Sequence, residues 1–81
     1  MAPKPIPQMY QRIKKFLDSV PDEVFTRQVL SERTEIGRHT IYQFSIDERM
    51  KDYVLKDSHR TIFGCPEAVE EYLRLIKKEN N

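Results

Sequence analysis

At 81 residues, with 38% apolar and 33% charged side chains, the chain has room for one small core beneath a wet exterior. It contains no apolar run of the roughly 18 residues that a membrane-spanning helix needs, and its first residues lack the apolar stretch of a secretory signal. A net charge of +1 counts against strong nonspecific binding of nucleic acid by charge alone, so the placement of the charges matters more than their sum.

Pro3, Pro5 and Pro7 withhold backbone donors and restrict the residues before them, which predicts an extended arm over residues 1–7. A helix is predicted from Gln8 to Ser19. Its buried stripe would be Met9, Ile13, Phe16, Leu17 and Val20, with Arg12, Lys14, Lys15 and Asp18 on the outward surface. Pro21 ends it, and Asp22 and Glu23 open the approach to the next element.

Thr26 is the predicted N-cap of a helix over Arg27 to Arg33, with Val29 and Leu30 facing inward. Ser31 is small, as a close helix crossing requires, and Ile36 would plug the gap before the following helix. That helix is predicted from Arg38 to about residue 50, with Ile41 and Phe44 toward the core. Thr40-x-x-Gln43 and Ser45-x-x-Glu48 both match the capping-box signature, so a later start and a break near Ser45 are the alternatives.

The runs Asp52–Lys56 and Arg60–Gly64 carry β-branched and aromatic residues around a polar turn, which predicts a hairpin. Pro66 then opens a last helix, with Glu67, Glu70 and Glu71 early and Lys77 and Lys78 late, as the helix dipole favours. Val69, Tyr72, Leu73 and Ile76 form its apolar stripe. One domain over residues 8–78 follows, with a frayed tail at 79–81. The lone Cys65 has no internal disulfide partner; a small buried side chain in a reducing, cytoplasmic setting is expected.

The order helix, helix, helix, hairpin, helix resembles the winged helix-turn-helix family: α+β, mainly helical, with three helices, a β-hairpin wing and a C-terminal helix. The specific part of the likeness is confined to residues 27–46. There Ser31, Ile36, Ile41 and Phe44 fall at the family's packing positions. Ile36-Gly37-Arg38-His39-Thr40-Ile41-Tyr42 is similar to its frequent apolar-Ser-x-x-Thr-apolar-x run, with Gly37 in place of the capping hydroxyl. The family's usual turn glycine is replaced by Glu35, so either Glu35 takes up a positive φ or Gly37 makes the sharp turn.

The resemblance implies a sequence-specific DNA-binding protein, a transcriptional regulator or a phage- or plasmid-type accessory factor, acting on double-stranded DNA. It places base reading on Arg38, His39, Tyr42 and Gln43; arginine pairs with guanine and glutamine with adenine, each worth about 1–3 kcal/mol of discrimination. Thr40, Tyr42, Thr26 and Arg27 would hold phosphate oxygens. Lys56, His59 and Arg60 at the hairpin tip would act as the wing. A homodimer on a two-fold site is expected, paired through the closing helix or the arm. The alternative is a protein-interaction adaptor built on the same fold, favoured by the weak net charge and the acids of the last helix. Neither an enzyme nor a cofactor or metal is expected: there is no glycine-rich phosphate loop and no nucleophile–base pair, and His39 and His59 lack partners at metal-ligand spacing.

Overall fold

The carbonyl of Pro7 receives the first hydrogen bonds of helix α1 (Gln8–Ser19), from the Tyr10 amide at 3.0 Å and the Gln11 amide at 3.2 Å. Proline at this point stops the arm and starts the helix in one residue. The computed structural model describes residues 5–57 and 60–79. Along it follow β1 (Phe25–Thr26), α2 (Arg27–Thr34), α3 (Arg38–Ile46), a 3₁₀ helix (Glu48–Tyr53), β2 (Val54–Asp57), β3 (Arg60–Phe63) and α4 (Pro66–Glu79). The fold is α+β and mainly helical, with one small antiparallel sheet of order β1-β3-β2.

The core is filled by Ile13 and Leu17 of α1, Leu30 of α2, Ile36 of the turn after it, Ile41 and Phe44 of α3, Met50, and Phe63 of β3. Phe44 is its centre. Its ring lies edge-on to Tyr10, with centroids 5.5 Å apart, and 6.2 Å from Phe63, so one side chain joins α1, α3 and the sheet. Tyr10, which the stripe assignment omitted, is buried here, whereas Met9 is 45% exposed. The body lies against the Tyr10–Ile13–Leu17 side of α1, which leaves Met9 at the far edge. Val29 corrects in the same way: at 38% exposure it faces outward, and Leu30 alone carries the inward face of α2.

The predicted single helix over 38–50 is two pieces. α3 ends at Ile46, and Asp47 adopts an extended backbone whose carboxylate accepts from the Arg49 amide at 2.9 Å. The Ser45 capping box is unused, because the Ser45 hydroxyl donates back to the Tyr42 carbonyl at 2.6 Å. The break turns the chain so that Met50 reaches the core, which a continuous α-helix would have carried past it. The Arg49 guanidinium also binds Asp47 at 2.8 Å, and that hydrogen bond holds the Asp47 carboxyl below its ordinary range.

The hairpin forms with register Lys56↔Thr61 and Leu55↔Ile62, its first strand beginning two residues late because Asp52 and Tyr53 close the 3₁₀ helix. β1 had no sequence signal: two residues cannot show a period, and it exists because Phe25 pairs with Phe63. At Gly64 an added Cβ would lie 3.1 Å from Val24 and 3.3 Å from Ala68, so the sheet meets α4 through a close backbone approach. Cys65 is buried, its thiol directed at the Pro21 carbonyl 3.6 Å away. α4 runs to Glu79; Asn80 and Asn81, like residues 1–4, lie outside the described residues.

Tyr53 ties the 3₁₀ helix to α1. Its hydroxyl donates to the Asp18 carboxylate at 3.2 Å, and the Lys14 ammonium sits 5.4 Å from its ring centroid, so Lys14 is half-buried rather than outward. Partial burial, and then the Asp18 charge, push the Tyr53 phenol above its ordinary value. A group raised on folding contributes fully below its unfolded pKa and loses that contribution as pH rises through the folded one. Urea midpoints are therefore expected to fall above about pH 10, and more steeply than in a Tyr53→Phe variant. Parallel declines in the two proteins would remove Tyr53 as the cause.

Candidate functional site

Thr26 marks the point where β1 becomes α2, its hydroxyl accepting from the Val29 amide at 3.3 Å as an N-cap does. At the other end of α2, Glu35 takes the left-handed conformation at φ 60°, ψ 24°, while Gly37 stays at an ordinary φ of −59°. The turn is made by the glutamate. Side-chain hydrogen bonds hold it there: Ser31 donates to the Ile36 carbonyl at 2.6 Å, and the Ile36 amide donates to Thr34 at 3.3 Å. These bonds, with buried Ile36, set the direction in which α3 leaves α2. Glu35→Gly is expected to raise stability by about 0.5 kcal/mol, and Glu35→Val to lower it by about 1–2 kcal/mol. Urea unfolding of the two variants checks this, and the opposite ranking would show that Glu35 is not strained.

α3 leaves the turn with Arg38, Tyr42, Ser45 and Ile46 on one face, at spacing i, i+4, i+7 and i+8. That face forms one wall of a groove of about 640 Å³. Thr26, Arg27 and Gln28 form its end, and Lys56, Arg60, Thr61 and Phe63 of the hairpin form the opposite wall. Six of the sequence-predicted residues thus come together: Thr26, Arg27, Arg38, Tyr42, Lys56 and Arg60. His39 and Gln43 are exposed on the adjoining outer face of α3, outside the groove, and Thr40 is half-buried. His59 lies outside the described residues.

Gln28, Ser45, Ile46, Thr61 and Phe63 line the groove without having been singled out. The sequence did hold a signal for three of them. Ser45 and Ile46 extend the face begun by Arg38 and Tyr42, and Thr61 is the cross-strand partner of Lys56. Phe63 is fully buried and serves as floor, while Gln28 is placed by the first turn of α2, where its amide donates to Glu32 at 3.4 Å.

Arg27, Arg38, Lys56 and Arg60 all reach this groove, and no carboxylate is among its lining residues. Nor does an ion pair join any of the four to another described residue. Four cations around one groove favour an anionic ligand there. Tyr42 and Ile46, about half exposed, add an apolar strip between the charges. The groove therefore suits an extended polyanion with some apolar surface. It offers no carboxylate, cysteine or histidine among its lining residues, and no three metal-ligating side chains gather anywhere among the described residues. No helix among those residues is long and apolar enough to cross a membrane. The chain matches no protein-family model, no curated protein sequence and no solved structure.

Proposed function

We propose that the chain is a sequence-specific DNA-binding domain of the winged helix-turn-helix type, working as a small transcriptional regulator or accessory factor. The observation that carries this reading is the groove where four cations, from α2, α3, β2 and β3, converge with no carboxylate among its lining residues. A duplex is the polyanion whose curvature such a three-walled surface follows.

In this reading the exposed face of α3, with Arg38, His39, Tyr42 and Gln43, lies in the major groove. Lys56 and Arg60 of the hairpin reach the neighbouring backbone, and Thr26 and Arg27 hold a phosphate near the start of α2. Ile46, beside Tyr42, supplies the apolar contact that a thymine methyl takes.

The test is an amide NMR titration of labelled protein with a short duplex at low and at physiological salt. Shifts gathered at Thr26, Arg27, Arg38–Gln43, Lys56 and Arg60 are expected. A protein-interaction module is the second reading, favoured by the half-exposed Tyr42 and Ile46. An unchanged spectrum at both salts would favour it and remove DNA as the ligand.

A further inference from the structure

α4 is amphipathic along its whole length, and the body of the protein covers its apolar face only in part. Ala68 is buried, Val69, Tyr72 and Ile76 are half-buried, and Leu73 and Leu75 are 36% and 51% exposed. The predicted stripe of Val69, Tyr72, Leu73 and Ile76 is real and half covered, and Leu75, which lies outside it, is the more openly exposed residue. A groove of about 410 Å³ runs beside it, lined by Pro21, Val24, Ala68, Tyr72 and Leu75 and edged by the carboxylates of Asp22, Glu67 and Glu71.

The charges along this edge are ordered. Glu67, Glu71, Arg74 and Lys78 recur at intervals of four, three and four residues, a single strip down the helix beside Ala68, Tyr72 and Leu75. Read from the N-terminus, the strip is acid, acid, base, base. Reversed end for end, it is its own complement. An antiparallel pair of such helices sets Glu67 and Glu71 of each beside Arg74 and Lys78 of the other, whereas a parallel pair sets like charge against like. The two helix dipoles also oppose each other in the antiparallel arrangement.

From this complementarity we infer that the uncovered face of α4 docks a second copy of the chain, the two α4 helices packing antiparallel about a two-fold axis. Such an isologous contact uses one patch twice and closes on itself. A helix of 14 residues spans about 21 Å, so the contact is smaller than the roughly 800 Å² per partner of a standard interface. The dimer is accordingly weak and reversible, with a dissociation constant on the order of micromolar. This inference stands apart from the DNA reading, since it uses a different surface.

Sedimentation equilibrium of the full chain tests it. The wild-type protein is expected to show a monomer–dimer equilibrium that weakens with salt. Leu75→Glu is expected to raise the dissociation constant roughly a hundredfold while leaving the amide spectrum of the body unchanged, because Leu75 is already half exposed. Charge reversal adds a second test, with the amide spectrum of each variant checking that it is folded. A Glu67→Lys/Glu71→Lys protein and an Arg74→Glu/Lys78→Glu protein should each fail to self-associate, yet pair with one another when mixed. A wild-type chain that stays monomeric at NMR concentrations, or a mixture that does not pair, would overturn the inference. So would a dimer indifferent to Leu75→Glu.

Discussion

Arg38→Ala is expected to weaken binding to a preferred duplex about tenfold to a hundredfold while changing affinity for random duplex far less. Arg38 stands at the start of α3, at the mouth of the basic groove, and its side chain is in no ion pair among the described residues. A guanidinium in that place donates two parallel hydrogen bonds to a guanine edge, worth about 1–3 kcal/mol against other bases. Lys56→Ala is the contrast. A lysine at the hairpin wall acts as a point charge, so its loss should lower affinity for all sequences alike. Salt separates the two roles further. With Arg27, Lys56 and Arg60 neutralising phosphates, log affinity should fall against log salt with a slope of about −3, and each phosphate contact removed should reduce the slope by about one. Fluorescence anisotropy on a duplex selected from a random pool and on a scrambled one, over a salt series, measures both. Equal losses on the two duplexes would reassign Arg38 to the backbone, and unchanged affinity for every variant would end the DNA reading.

Phe44→Ala is expected to be the most damaging single substitution to the fold. Its side chain is fully buried and touches rings from both α1 and β3. Truncating a buried phenylalanine costs about 3–5 kcal/mol, part from lost transfer energy and part from the cavity left behind. A domain of this size rarely has more than about 5 kcal/mol to lose. The variant should therefore be largely unfolded at room temperature by circular dichroism and amide dispersion. Ile46→Ala, two residues on and on the exposed side of the same helix, should remain folded. A stable Phe44→Ala protein would mean that Tyr10 and Phe63 close over the gap, and the core would then be looser than its packing implies.

What was legible and what was not divides along the range of the forces involved. α1 began and ended where Pro7 and Pro21 require, and Thr26 capped α2 as its hydroxyl predicts, because prolines and caps act within one helical turn. The inward positions were less readable. Met9 and Tyr10 are neighbours of similar apolar character, and only the position of Phe44, 34 residues on, decides which is buried. The second helix of the motif carried two capping signatures, and the structure used neither: Asp47 made the break, since that break brings Met50 into the core.

The candidate site shows the same division. Six of its residues could be named from the chain, because exposed cations at the start of a helix and at a hairpin are visible as residue types. That Arg27, Arg38, Lys56 and Arg60 line one groove is a property of packing: the left-handed turn at Glu35 aims α3, and the antiparallel register of β2 and β3 brings the hairpin opposite it.

By itself the sequence determined α1, α2 with its Thr26 cap, α4, the hairpin, and the acid-to-base order along α4. All of these follow from interactions between residues a few positions apart. Only the tertiary structure decided which apolar faces are covered, where the 3₁₀ break falls, that Phe25 adds a third strand, and which charges share a surface. Burial and convergence depend on contacts between residues far apart in the chain, and these exist only once the whole core has closed.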